Sequence, residues 1–261
     1  MKKILFTLCL LATAPVFAGA GFYMEFKMTM VGSRESANGS IKVYNADAGV
    51  SRSELNMKIS GLPVGAMNMI SLHKVAEPTK VYMINEEAKT YSVTDLAKFR
   101  NIGDPKKNVE HKYEVTVVGT EKVNGYNATH VKVKVDGLDI EELWTSKDIA
   151  GYEKYAQLNG SKYSLDNSLW AALKANGAAG FPVRIVMLEN SGKMQVDLVK
   201  AEKRDIASAL ITIPAEYKQV STLDGIMQQM GMPTKDDMLR MTPEQREQMM
   251  REMEQKYKSQ Q

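Results

Sequence analysis

The chain has 261 residues, of which 44% are apolar and 25% charged, with a formal net charge of +3 and a mean hydropathy of −0.31. These values exclude a disordered chain, a collagen-like repeat and a polytopic membrane protein, and they allow one large domain, alone or with an appendage. The near-neutral balance also argues against nucleic acid as the main partner, since phosphate binding draws on an excess of Lys and Arg.

Lys2 and Lys3 precede the apolar run Ile4 to Ala12, and Val16-Phe17-Ala18 closes the segment in a form that suits a signal peptidase. The pattern predicts a signal peptide over residues 1–18 and a mature chain starting at Gly19. The apolar run is about half of the roughly 20 residues that cross a bilayer, so no transmembrane segment is expected after its removal. Cys9 follows Leu8 in the middle of the run, which does not suit lipid attachment. A periplasmic or secreted protein that is not a lipoprotein is therefore expected. Cys9 is the only cysteine, so the mature chain has neither disulfides nor thiolate metal sites.

Phe22, Met24, Phe26, Met28 and Met30 alternate with mostly polar residues, the period of a strand with one buried face. The same period recurs in Leu55, Met57 and Ile59, in Val115 and Val117, and in Val131, Val133 and Val135. Ala48-Gly49, Asn124-Gly125, Asp136-Gly137 and Asn190-Ser191-Gly192 separate such runs and predict antiparallel hairpins. Asp148 to Leu158 is a helix candidate, and Leu165, Leu169 and Leu173, with Ser164 before them and Gly177 after, predict a capped helix. Phe181 to Met187 reads as a strand paired with Lys193 to Val199, and Leu210 to Ile213 as a last short strand stopped by Pro214. Composition shifts after about Tyr217, and Thr234 with Asp237 and Thr242-Pro243-Glu244-Gln245 carry helix-start signals. The domain organisation read from these segments is a signal peptide (1–18), a β domain (19–218) and a Met-rich helical tail (219–261). Long one-faced strands without βαβ alternation predict a mainly β, α+β fold: a curved antiparallel sheet or half-open barrel with a helical C-terminal tail.

Tyr44 with Arg52 and Glu54, Gly119-Thr120-Glu121, Asn124-Gly125-Tyr126, Glu142 to Lys147, Gly180-Phe181-Pro182-Val183 and Ile213 to Tyr217 resemble a bacterial envelope family. It is domain-of-unknown-function family four-four-one-two, which has the fold of the lipoprotein carriers LolA and LolB. The resemblance covers roughly Phe22 to Lys218. It implies a half-open barrel whose concave side faces helices and houses an acyl chain. Members often carry a cysteine after the Gly-Tyr pair, whereas Asn127 and Ala128 stand here, so any role resting on that thiol is absent.

Catalytic signals are thin. His73, His111 and His130 are far apart, and no zinc-protease, nucleophile-elbow or phosphate-loop motif occurs. His130 lies on the lysine-bearing face of its strand, which predicts a solvent-exposed ring. Glu141 and Glu142 are neighbours in an extended segment, so they point to opposite faces, one exposed and one partly buried, and cannot serve one substrate as an acid/base pair. No enzyme activity, cofactor or metal centre is expected. Ligand binding is expected instead on Phe22, Met24, Phe26, Met28, Met30 and Met57, because methionine adapts to variable apolar partners. Trp144, in the strand-to-helix corner, is a further contact. The same methionines would equally fill a closed interior. The predicted function is a non-catalytic exported protein that binds or carries a lipid or acyl chain. The alternative is an envelope interaction module that docks a partner protein through the tail, where eight of the eighteen methionines lie and where Met250, Met253 and Tyr257 form a stripe. Weak Cu(I) binding by clustered thioethers is a third reading.

Overall fold

The structure is a computed structural model and describes residues 17–32, 36–60, 66–98, 112–149, 167–189, 192–229 and 233–258. The apolar run of the expected signal peptide, His111, the helix candidate beyond Ile149, Ser164, Leu165, Asn190-Ser191 and the side chains of Met253 and Tyr257 lie outside the described residues.

The mainly β fold expected from the alternation is found as one sheet of twelve strands. In chain order they are β1 (Phe17–Gly32), β2 (Ser36–Ala46), β3 (Val50–Ser60), β4 (Ala66–Lys74), β5 (Lys80–Asn85) and β6 (Thr90–Asp95). β7 (Tyr113–Val123), β8 (Tyr126–Val135), β9 (Leu138–Ser146), β10 (Phe181–Glu189), β11 (Gly192–Ala207) and β12 (Lys218–Val220) complete it. The spatial order is β12-β6-β5-β4-β3-β2-β1-β11-β10-β9-β8-β7, so the sheet is open, with β12 and β7 at its edges. All pairings are antiparallel except β12 with β6. Asn124-Gly125 and Asp136-Gly137 form tight hairpin turns with positive φ at both residues, the conformation that their side chains tolerate. Asn124 Nδ2 donates to the Leu198 carbonyl at 2.9 Å, which carries the β7–β8 turn past β9 and β10 to β11 and rolls that half of the sheet.

The helices are α1 (Asn167–Ala175), α2 (Ser208–Ile211), α3 (Thr222–Gln229), α4 (Lys235–Arg240) and α5 (Pro243–Lys258). α1 buries Leu169 and Leu173 against Val131, Val133 and Leu143. α3 lies over β6: Thr222 Oγ1 donates to the Val93 carbonyl at 3.2 Å, Thr90 Oγ1 donates to Gln228 Oε1 at 2.7 Å, and Gly225 approaches Ser92. Ser92 shares a cross-strand row with Met83, Ser71, Ser53, Val43 and Met24. Leu143 and Val131 share one with Met28 through Ile185 and Val196. The two helices thus cover the two ends of one face, here called the inner face. Both tail caps expected from sequence are present. Thr234 and Asp237 form a capping box, and Thr242 and Gln245 exchange backbone-to-side-chain bonds.

The predicted strand at Leu210 to Ile213 is not formed. β11 instead runs on to Ala207, and Ser208–Ile211 is the helical turn α2. Lys200 to Asp205 has no apolar alternation, but the first half of β1 offers it a full ladder of backbone partners, and pairing overrides pattern. Leu210, Ile211, Ile213 and Tyr217 then cross the outer face, against Tyr44 and Val50 and against Leu72, Tyr82 and Ile84. Arg52, only 4% exposed, fixes this crossing. Its Nε donates to Glu54 Oε1 at 2.7 Å, its Nη2 to Glu86 Oε1 at 2.8 Å and its Nη1 to the Leu210 carbonyl at 3.4 Å.

Removing the Arg52 guanidinium strands Glu54 and a backbone carbonyl. Arg52→Ala is expected to cost about 2 kcal/mol in chemical denaturation, below the full buried-pair penalty because Glu86 is half-exposed. Glu77, in the β4–β5 turn, accepts from Lys80 Nζ at 2.7 Å and from Tyr82 Oη, and these bonds hold its carboxyl down at about 2. Its folded value lies below the ordinary 4.5, so its stabilisation is full above that pH and is lost as pH falls toward 2. Glu77→Gln should lower stability at neutral pH, where the ionised carboxylate contributes in full, and flatten the acid limb of a stability-versus-pH curve, so that the two proteins converge as pH falls toward 2.

Candidate functional site

Backbone register assembles the inner face row by row. Met67, Met57, Gly39 and Met28 are successive cross-strand partners from β4 to β1, and the row continues through Val196 and Ile185. The next row sets Ala37, Met30, Met194, Met187 and Glu141 side by side from β2 to β9. Side chains directly opposite in antiparallel pairs have Cβ atoms about 5 Å apart, so the thioethers of a row are neighbours. A Cβ at Gly39 would stand 2.5 Å from the Asn56 carbonyl, so the row keeps a gap between Met28 and Met57.

Burial is graded along the face. Phe22 and Met24 are 5% and 0% exposed and pack with Val43, Phe181, Val183 and Leu198, while the rings of Phe26 and Phe181 lie 6.4 Å apart. Met28 is buried, but Met30, Met57, Met67, Met69, Met187 and Met194 are only half-buried. The face is closed at its aromatic end and open at its methionine end. The structure thus brings together six of the residues singled out from sequence: Phe22, Met24, Phe26, Met28, Met30 and Met57.

Trp144 joins the buried cluster of Phe22 and Met24, against which Phe26 packs, although it alternates on β9 with the residues of the methionine rows. Its neighbour Leu143 shares the Met28 row, so Trp144 points to the opposite face of β9, in register with Arg184 and His130. Its Nε1 donates to Glu121 Oε1 at 2.6 Å, the His130 ring stacks on it at 4.0 Å, and the Arg184 guanidinium lies 5.5 Å from the ring centroid. The open, solvated ring expected for His130 is not found. The indole covers it, and its Nε2 lies 2.8 Å from Glu142 Oε2. A flat aromatic partner one strand away outweighs the lysines on either side.

The inner face also carries polar groups, among them Ser53, Ser71, Thr90 and Ser92 toward α3. Asn45, in register with Phe22, has 0% exposure and no partner among the described residues for either amide atom, and Ser92 Oγ under α3 is also unpartnered there. Glu141 stands in the methionine row, between Val133 and Met187. Burial alone pushes its carboxyl above the ordinary range. The alternation of Glu141 and Glu142 was legible in sequence, whereas the assignment of Glu141 to the methionine face required the register. Among the described residues, no group of three His, Cys, Asp or Glu side chains is placed to hold a metal. No described helix is long and apolar enough to cross a membrane.

Among the solved structures similar to the chain are the following three. An uncharacterized conserved protein from Thermus thermophilus is 11% identical, with a TM-score of 0.40 over 76% of this chain and 90% of that one. The Pseudomonas aeruginosa MucA/MucB complex is 12% identical, with a TM-score of 0.36 over 79% and 60%. The LolA superfamily protein NE2245 from Nitrosomonas europaea is 9% identical, with a TM-score of 0.33 over 74% and 90%. No curated protein matches the chain. The model of the family described as a domain of unknown function (DUF4412) matches residues 23–217, from β1 to the residue before β12, and the chain belongs to that family.

Proposed function

We propose that this is an exported, non-catalytic protein that binds or carries a lipid or acyl chain on its inner face. The observation that carries this reading is the gradient of burial in one continuous face, from the sealed Phe22 and Met24 to the half-buried methionines around Met30 and Met57. A face that only filled a core would be uniformly dry. Here the open end retains apolar surface in water, and each Å² that a ligand covers yields roughly 25 cal/mol. Thioether side chains are flexible and polarisable, so they fit chains of different length and saturation at little cost in strain. The inner-face helices α1 and α3 flank this surface, and an elongated apolar molecule lying across β3, β2, β1 and β11 would meet both methionine rows.

A second reading, partner docking by the tail, is favoured by a separate observation. Leu239 and Met250 are 69% and 61% exposed on α4 and α5. Such surface suits a protein partner.

A fluorescent fatty acid titrated into the purified protein tests the carrier reading. Met57→Asp, at a half-buried position, should weaken uptake at least tenfold, and Met28→Asp should do so more strongly, each at matched folding by circular dichroism. Asn68→Asp, in register with Asn56 on the outer face, should have no effect. Unchanged uptake in a folded Met57→Asp protein overturns the carrier reading. Truncation separates the two readings. Removing residues 234–261 should preserve cooperative β unfolding and fatty-acid uptake while abolishing capture of an envelope partner. Removing residues 219–261 also takes away α3 and should lower the unfolding temperature.

A further inference from the structure

Glu141 is out of place by every local criterion. Its cross-strand partners are Val133 and Met187, and beyond Met187 the row continues into Met194 and Met30. Its neighbour Glu142, on the other face, has His130 Nε2 at 2.8 Å and Lys132 Nζ at 4.0 Å. Among the described residues Glu141 has no such ion pair, and the upward push on its carboxyl comes from burial without any opposing charge. A carboxylate in apolar surroundings costs free energy until a cation or a donor reaches it. On one face of a sheet, successive rows of side chains stand about 7 Å apart, which leaves room along one row for one hydrocarbon chain. From Glu141 to Met30 the row crosses three strand spacings, about 14 Å.

We propose that Glu141 recognises the head group of the bound molecule, and that the inner face selects a single-chain amphiphile with a primary ammonium head. This deepens the carrier reading and rests on it. The ammonium pairs with the Glu141 carboxylate, and the chain lies along Met187, Met194 and Met30. The complementarity is reciprocal. The ligand supplies the charge that Glu141 lacks, and Glu141 supplies an anchor that the thioethers cannot. An anionic head at the same place would add like-charge repulsion between two poorly solvated carboxylates. A neutral alcohol head would gain one hydrogen bond without the charge term. Glu141 is therefore the specificity determinant, and the methionines provide affinity for the chain.

The test is isothermal titration of the full mature chain with dodecylamine, dodecanol and dodecanoate at neutral pH, each below its micelle concentration. The expected order of affinity is amine, then alcohol, then acid, with at least tenfold between the first and last. Glu141→Gln, which keeps shape and volume, should weaken amine binding about tenfold, leave dodecanol unchanged and remove the preference. Glu142→Gln should leave the order intact. Equal binding of all three probes by the wild-type protein overturns the head-group assignment while leaving the carrier reading standing. So does a preference for the amine that survives Glu141→Gln. Binding of none of the three overturns both. The wild-type comparison decides the matter even where a variant folds poorly.

Discussion

The pairing of β1 with β11 is the constraint on which the rest of the molecule depends. These are the two sixteen-residue strands, and they join the half of the sheet made of β2 to β6 and β12 to the half made of β7 to β10. Their register sets Met28 opposite Val196 and Met30 opposite Met194, and that alignment carries each methionine row across the junction. A slip of one residue would turn every side chain of one half to the other face and put Lys27 and Thr29 where the thioethers lie. The irregularity between Glu25 and Phe26 falls where the packed aromatic end begins and leaves the open end in unbroken register.

The two faces solve different problems. On the outer face charge is met by charge or by an aromatic ring. Arg184 bonds Asp197 and lies over Trp144, Tyr23 Oη donates to Glu25 while Arg204 lies 4.8 Å from its ring, and Arg52 holds Glu54 and Glu86. The more exposed of these pairs add little individually. Buried Arg52 fixes the crossing of residues 208–217. The inner face has helices over its ends and mostly aliphatic, aromatic and thioether groups between them, and its cohesion comes chiefly from burial, with hydrogen bonds from Thr90 and Thr222 tying α3 to β6.

Alternation made much of this legible before any coordinates. The apolar face of β1, the hairpins at Asn124-Gly125 and Asp136-Gly137, the helix carrying Leu169 and Leu173, and the caps at Thr234 and Thr242 all follow from local pattern. The second half of β11 does not, because Lys200 to Asp205 is held extended by β1, a partner far away in sequence. Leu210 and Ile211 have strand-forming composition, yet the backbone turns helical there as it leaves the sheet and passes Arg52. The environment of His130 was illegible for a related reason. Its strand suggests solvent, and only the pairing of β8 with β9 brings Trp144 beneath the ring.

The most informative residues are those that violate the local rules. Among the described residues, the buried side-chain atoms without a partner belong to Asn45 and Ser92, and both lie on the inner face. The carboxyl raised by burial alone, Glu141, lies there too. A protein selected only for stability would replace such groups by apolar ones, with gains of about 1 to 3 kcal/mol for each unsatisfied polar group removed. The outer face, with equal opportunity to carry such defects, pairs its Arg184, Arg52 and Tyr23 instead. Unmet polar groups therefore concentrate on the face whose apolar surface is also incompletely covered. Departures from local consistency gather where a fold is used rather than where it is merely held together. Two independent features, uncovered thioethers and unpartnered polar atoms, thus mark the same side of the sheet, the one on which we propose that a molecule from outside binds.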